Sequence, residues 1–539
     1  MQQRMNTTSS RPLLAALLVL TAWTSDALAD VVEFTAATIA DINRAFDAGT
    51  LTSARLVELS LARIEAYDKT DPALNAVLTL NQNALETARA LDRERLSSGR
   101  RSPLHGIPVV LKDNIDTADM PTTAGSFMLK NSVPPDDAFL TQQLRDAGAI
   151  VLAKLNMSEF ASGDAMNSLS GPIHNPHDPA RTPSGSSGGT GAAIAAAYAM
   201  VGLGTDTGGS VRGPSSANGI VGLKPTHGLL SRDGIIPLAL SFDTAGPMAR
   251  NVYDVAVVLG VMTGVDPSDP ATAKSKGHFE TDYTQFLDAE ALDGARIGVA
   301  RDFMGNDEEV DWVIEASLQA MRNAGAEVVD VELPSWLLDT RGRFYRAIRY
   351  REFRAQIKDY LATTGSEFPK NLEELVQRSM TLTAVRDDGA MPNPGRWQLM
   401  MDEVKSGELT DYEYLAVHEH ALPLLRGIIG GLIEQENLDA IVYPTSHVRP
   451  ERVDPDPDPD GSPGSSGSPV ILANLTGFPD LIVPAGFTGR GLPVTISFLG
   501  PAFSEPKLLA LGYAFEQRSQ ARRLPVTTPA LPGEPLLTR

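Results

Sequence analysis

The chain has 539 residues, 42% hydrophobic and 21% charged, an ordinary globular composition with apolar material for a large core. Its 67 acidic and 46 basic side chains leave a net charge of −21, which repels nucleic acid and anionic lipid, so neither is expected as a partner. It has no cysteine, which excludes disulfides, thiol catalysis and cysteine-ligated zinc or iron–sulfur centres.

At the N-terminus Arg4 and Arg11 precede the apolar run PLLAALLVLTAW (12–23), and ALA (27–29) precedes Asp30. A basic stretch, a short apolar stretch and an A-x-A site together predict a secretory signal peptide over residues 1–29, cleaved after Ala29. The apolar run spans about 18 Å as a helix, short of the ~30 Å bilayer core, so a membrane anchor is not expected. The predicted mature chain, 30–539, is one domain that is periplasmic or secreted, with no membrane association after processing.

Residues 35–70 read as helical. LTSARLVELSLARIEAYD (51–68) sets Leu56, Leu59, Ile64 and Tyr67 near one face, with Thr52 or Ser53 as cap. LNAVLTLN (74–81) reads as a strand. IPVVLKDNID (107–116) carries a β-branched run ending in Lys112. DDAFLTQQLRDAG reads as a helix ending at Gly148, and AIVLAKLN (149–156) as a buried strand. This is a β–α–β unit, and ARIGVAR (295–301), a helix with Val310, Val313, Ile314 and Met321, and AEVVDVEL (326–333) make another. An α/β fold follows, with a large, mostly parallel or mixed central sheet covered by helices on both faces.

Residues 340–435 are helical and highly charged. DAIVYPT, DLIVPAGF and LPVTISFLG are three late strands of the same sheet, and Ser504 is placed to cap a last helix with Pro506 in its first turn. DPDPDPDGSPGSSGSP (454–469) reads as an exposed surface loop. The eight histidines are scattered. His418 and His420, two apart in a helical stretch, project from different faces, so no metal site is expected.

The most unusual stretch is TPSGSSGGTGAAIAAAYAMVGLGTDTGGSVRGP (182–214), in which two glycine–serine clusters bracket an alanine-rich segment. Ordered glycine costs backbone entropy, so such clusters mark tight turns or backbone amides aimed at a ligand. A phosphate-binding loop would need a closing Lys-Ser/Thr pair, which is missing. GSSGG (185–189) fits the nucleophile elbow G-x-S-x-G with Ser187 as nucleophile, but that pattern ignores DTGGS. A glycine-bounded helix with no chemistry also fits either cluster alone. A further reading joins both clusters to Lys112. A neutral lysine can activate a serine, and burial at the end of an apolar strand lowers a lysine pKa toward the useful range. A solvent-reaching or salt-bridged Lys112, with Asp113 and Asp116 nearby, fits the periodicity equally well.

SPLHGIPVVLKDNID (102–116), KLNMSEFASG (154–163), GSSGGTGAA (185–193), GLGTDTGGSVRGPSSANGIVGLKPT (202–226) and NLTGFPDLIVPAGF (474–487) resemble the amidase signature family in order and spacing. The resemblance runs from about residue 35 to 520. SRDGIIPLALSFDTAGPMAR (231–250) and SEPKLLALGYAFEQRSQARR (504–523) are most similar to its secreted bacterial peptide amidases. It implies a Ser–Ser–Lys triad with Lys112 as base, Ser186 as bridge after a cis Gly185–Ser186 peptide, and Ser210 as nucleophile. The amides of Thr207, Gly208, Gly209 and Ser210 become the oxyanion hole. It also implies amide hydrolysis through an acyl-enzyme without metal or organic cofactor, on a small-molecule or peptide amide, with residues 157–163 and 340–435 lining the acyl pocket. The rival within the family is a transamidation subunit like those that make amidated aminoacyl-tRNA, which the predicted export and the negative charge disfavour. One departure stands out: the family usually reads P-G-G-S-S-G-G, and Ser184 replaces the first glycine here.

Overall fold

In the computed structural model, residues 31–453 and 469–538 are described. The predicted signal peptide, and all of the predicted 454–469 loop except Pro469, lie outside them. Among the described residues the chain forms the strands β1 (Val31–Glu33), β2 (Val77–Leu80), β3 (Pro108–Lys112), β4 (Ile150–Leu155), β5 (Met166–Asn167), β6 (Gly171–Pro172), β7 (Val201–Asp206), β8 (Val221–Lys224), β9 (Thr244–Ala249), β10 (Arg296–Ala300), β11 (Glu327–Val331), β12 (Ala440–Pro444), β13 (Asp480–Phe487), β14 (Pro493–Leu499) and β15 (Leu536–Thr538). Eleven of these make one sheet in the order β11-β10-β12-β14-β13-β8-β9-β7-β3-β4-β2.

Both predicted β–α–β units are present, with β3 parallel to β4 and β10 parallel to β11. The centre, from β12 through β14, β13, β8 and β9 to β7, is antiparallel, so the sheet is mixed. The strands β7, β8 and β9 were not foreseen in the sequence. VGLGTD and TAGPMA carry glycine and proline, which lower strand propensity, and every one of their residues is buried, which erases the two-residue alternation.

Helices bury both faces. In β3, Val109 and Leu111 pack into the apolar cluster that holds Ile42, Phe46, Leu144 and Val255. Val110 faces the opposite cluster, with Ala192, Ala193, Ile194 and Ala196. Strand alternation puts Lys112 on the Val110 side. The helix Gly188–Ala195 there is buried at every residue, as its lack of a polar face requires. Its start presses into the turn after β4, where a Cβ on Gly189 would lie 2.2 Å from the Asn156 carbonyl oxygen.

The first helices span Ile39–Asp47 and Ser53–Tyr67, the second capped by the Thr52 side chain, which accepts from the Arg55 amide. Ser504 departs from expectation. It precedes the helix Glu505–Ser519, but its hydroxyl makes no cap bond. Its ψ of 14° is not the extended backbone that aims an N-cap side chain at the first turn. His418 stacks on Tyr414 and pairs with Glu419, and no metal-holding group of three His, Asp or Glu side chains occurs among the described residues.

Candidate active site

Lys112 ends β3 with its side chain fully buried. Its Nζ lies 2.7 Å from Ser186 Oγ, 2.8 Å from Thr205 Oγ1 and 3.3 Å from the Thr205 carbonyl oxygen. No carboxylate among the described residues pairs with it: Asp113 faces Lys154 instead, and Asp116 accepts from the Tyr360 hydroxyl. Burial brings the Lys112 pKa down from 10.5 to about 7, against an opposing pull from Asp206 and Asp243. The alternative of a solvent-reaching or salt-bridged lysine is thereby removed.

Ser186 follows a cis Gly185–Ser186 peptide bond. Its carbonyl accepts the Ser158 amide at 3.1 Å, and the Ser210 carbonyl accepts the Ser187 amide at 3.3 Å. The two glycine–serine clusters are thus stapled together through backbone. Ser186 is buried, whereas Ser210 is partly exposed, so Ser210 is the outermost of the three groups. Ser187 does not fit the elbow reading. Its buried hydroxyl accepts the Thr205 amide and donates to the Thr205 carbonyl, both at 3.3 Å, so it is engaged with β7 rather than open to a ligand. Ser184, in place of the usual glycine, has a φ of +62°, in the left-handed region that glycine occupies without cost.

The loop from β7 to Ser210 is held by a buried network that sequence reading missed. Arg212 Nη1 donates to Asp480 at 2.8 Å; its Nε and Nη2 donate to the two Asp206 oxygens at 3.1 and 3.0 Å. Asn474 bridges the pair, donating to Asp206 Oδ1 at 2.8 Å and accepting from Arg212 Nη2 at 2.6 Å. Burial pushes the Asp206 carboxyl up, but Arg212, Asn474 and the Val211 amide outweigh it and hold the group well below the usual carboxylate range. The available signal was charged and amide side chains inside otherwise apolar motifs, since buried charges need partners.

This network revises the expected oxyanion hole. The Gly209 amide donates to Asp206 Oδ1 at 2.9 Å, so it is engaged by a buried carboxylate that needs donors. The amides of Thr207, Gly208 and Ser210 have no protein acceptor among the described residues. Gly209 has a φ of +115°, and a Cβ there would lie 2.4 Å from Val470 Cγ2, so only glycine fits. The Thr207 hydroxyl donates to Asp243, whose other oxygen accepts the amides of Leu238 and Ala239.

A cavity of about 500 Å³ lies beside these loops, with Gly163, Ser184, Gly185, Gly213, Val470 and residues 445–453 among its walls. Of the residues expected to line the acyl pocket, few border this cavity, and neither Ser186 nor Ser210 does. Gly163 contributes, but the 340–435 segment forms none of this cavity's wall. That segment reaches the site elsewhere: Tyr345, on the helix Ser335–Thr363, has its hydroxyl 2.6 Å from where a Gly208 Cβ would stand.

With the match to the Amidase family, a mixed eleven-stranded sheet carrying these loops identifies an enzyme that acts on carbon–nitrogen amide bonds. The family model for Amidase matches residues 55–509, and the chain belongs to the amidase signature family. It is 36% identical over 491 residues to a glutamyl-tRNA(Gln) amidotransferase subunit of Halorhodospira halophila, covering 89% of this chain and 96% of that one. Among solved structures it is similar to the native peptide amidase of Stenotrophomonas maltophilia, with 38% identity, a TM-score of 0.80, and 90% of this chain and 98% of that one covered. The structure of the corresponding glutamyl-tRNA(Gln) amidotransferase subunit from Thermotoga maritima matches with 28% identity and a TM-score of 0.68, covering 92% and 98%.

Proposed function

We propose that the chain cleaves carboxylic amides by acyl transfer, with Lys112, Ser186 and Ser210 acting as one unit. The observation that carries this reading is a fully buried lysine, without a carboxylate partner among the described residues, 2.7 Å from Ser186 Oγ and with a pKa of about 7. A neutral amine has two N–H donors and one lone pair. Donation to the Thr205 carbonyl and Oγ1 leaves the lone pair for the Ser186 proton. As Ser186 gives up its proton it takes that of Ser210, whose Oγ attacks the amide carbonyl carbon. The amides of Thr207, Gly208 and Ser210 face the developing oxyanion, each such donor contributing about 3 kcal/mol in comparable sites. Collapse breaks the carbon–nitrogen bond. The relay returns its proton to the departing nitrogen, and water then cleaves the Ser210 ester. No metal or organic cofactor enters this scheme.

Two readings share this first half-reaction. In one, the chain alone hydrolyses peptide-type amides, which its likeness to a peptide amidase supports. In the other, it supplies ammonia to a transamidation complex, which its sequence likeness to the glutamyl-tRNA(Gln) amidotransferase of Halorhodospira halophila supports. The −21 charge gives tRNA no electrostatic attraction to this chain. Purified chain without ATP, tRNA or partner proteins should release ammonia from an N-acylated peptide amide. Release only from glutamine, and only when partner proteins are added, would decide for transamidation. We further propose export to the periplasm or medium, supported by the tripartite pattern of residues 4–29.

A further inference from the structure

We propose that Asp243 is a positioning residue for amide cleavage: its carboxylate holds Thr207 and the amide-bearing turn 207–210 against the end of β9, and its negative charge acts on Lys112. The inference rests on the amide-cleaving reading and deepens it by assigning a role to a group outside the Lys112–Ser186–Ser210 unit. The ladder of β7 and β9 ends with Asp206 opposite Thr244, so Thr207 and Asp243 are the next residues on the two chains. Both are buried, and the Thr207 hydroxyl donates to one carboxylate oxygen of Asp243. The other oxygen accepts the Leu238 amide at 2.8 Å and the Ala239 amide at 3.0 Å. The Asp243 amide donates to the Ala239 carbonyl at 2.8 Å, so the carboxylate is fixed by its own turn. Thr207 is thereby tied down one residue ahead of Gly208 and two residues beyond Thr205, whose carbonyl and hydroxyl hold Lys112 Nζ.

Holding a hydroxyl and two amides does not by itself call for a charge, and burying a carboxylate without a paired cation is costly. The charged and titratable groups around Asp243 are Lys112 on β3, Asp206 at the end of β7, Arg232 in the loop after β8 and Tyr345 on the helix Ser335–Thr363. Asp206 is neutralised by Arg212, Arg232 is engaged by Asp269, and burial pushes the Tyr345 hydroxyl above its ordinary range, so it is neutral. Lys112 is the group left for the Asp243 charge to act on. Burial drives the lysine down, and Asp206 and Asp243 oppose that pull. A lysine driven too far down would be neutral but too weak to take the Ser186 proton. An anion favours the ammonium form, so removing the Asp243 charge lowers the pH at which Lys112 becomes neutral.

The test compares wild type, Asp243→Asn and Asp243→Ala on N-acetyl-trialanine amide, with kcat and KM measured across the acid limb and the alkaline plateau. Asparagine keeps an acceptor for the two amides and a donor for the Thr207 oxygen, so Asp243→Asn should retain plateau kcat to within about threefold. Its acid limb of kcat/KM should lie roughly half a pH unit or more below that of wild type. Asp243→Ala shares the displaced limb and also frees Thr207. Its plateau kcat should be about tenfold or more below that of Asp243→Asn with KM little changed, because oxyanion donors act in the transition state. Limbs unmoved in both variants, a kcat for Asp243→Asn no better than for Asp243→Ala, or a loss confined to KM would each overturn the proposal. If Asp243→Ala does not fold, Thr207→Val takes its place. Removing the hydroxyl while keeping the carboxylate should lower kcat about tenfold without moving the limb to lower pH, and an unchanged kcat overturns the proposal. If wild type does not cleave the amide, the amide-cleaving reading fails separately, and the pH dependence of Ser210 labelling by a fluorophosphonate decides the role of Asp243. A limb at lower pH in Asp243→Asn upholds it, and an unmoved limb or no labelling overturns it.

Discussion

Replacing Lys112 by Met should make the protein more stable and nearly inactive at once. The displacement of the lysine pKa from 10.5 to about 7, at 1.36 kcal/mol per tenfold change, costs the folded state about 5 kcal/mol at neutral pH. Methionine fills a similar volume without an amine, and removes that cost. It also removes the contacts to Ser186, Thr205 Oγ1 and the Thr205 carbonyl, at about 1 kcal/mol each. The net gain is about 2 kcal/mol, which for a chain of this size raises Tm by roughly 2 °C. The sign depends on pH. Between about 7 and 10.5 the unfolded lysine holds a proton that the folded one has lost, so the wild type gains stability as pH rises through that window. Near pH 10 little of the burial cost remains, the lost hydrogen bonds dominate, and the variant should fall below the wild type. Differential scanning calorimetry of both proteins at pH 7 and 10 reads this directly. In parallel, kcat/KM of the variant should drop about 10³-fold or more, and that of the wild type should fall tenfold per unit as pH decreases below about 7. A Lys112→Met enzyme with normal kcat/KM, or a wild-type profile flat from pH 5 to 8, would refute the assignment of Lys112 as base.

Other outcomes follow from the same geometry. A fluorophosphonate should label Ser210, read by mass spectrometry; Ser210→Ala should abolish labelling and turnover, Ser186→Ala should reduce both severely, and Ser187→Ala should leave Ser210 labelled. A label on Ser187 with an active Ser210→Ala variant would reverse the assignment. Arg212→Leu leaves two buried carboxylates without their cation, and should cost about 3–5 kcal/mol in urea unfolding as well as activity, since the loop that carries Ser210 loses its anchor. N-terminal sequencing of protein recovered from periplasm or medium should start at or within a few residues of Asp30; an intact Met1 on soluble cytoplasmic protein would disprove export.

Several features were open to direct reading from the chain because they are local. A cap at Thr52 or Ser53, the two β–α–β units and the apolar run ending in Lys112 follow from propensity and spacing, and the glycine–serine clusters from composition; the structure puts the cap at Thr52. The resemblance placed Ser186 and Ser210 in one site, and the backbone bonds between the two clusters are consistent with that. Other features arise only when distant segments meet. Whether Lys112 is a base or a surface cation depends on burial, which strand alternation alone leaves undecided. Ser187 and Ser186 are adjacent and alike in sequence, yet one faces β7 and the other Lys112. Arg212 lies some 260 residues from Asn474 and Asp480, and the three acquire meaning as one network once β13 and the helix Ile471–Thr476 before it pack on the Ser210 turn. Periodicity reports which side of an element is apolar. Desolvation, hydrogen-bond satisfaction and pKa depend on which atoms from elsewhere in the chain arrive at that side, and folding alone brings them there.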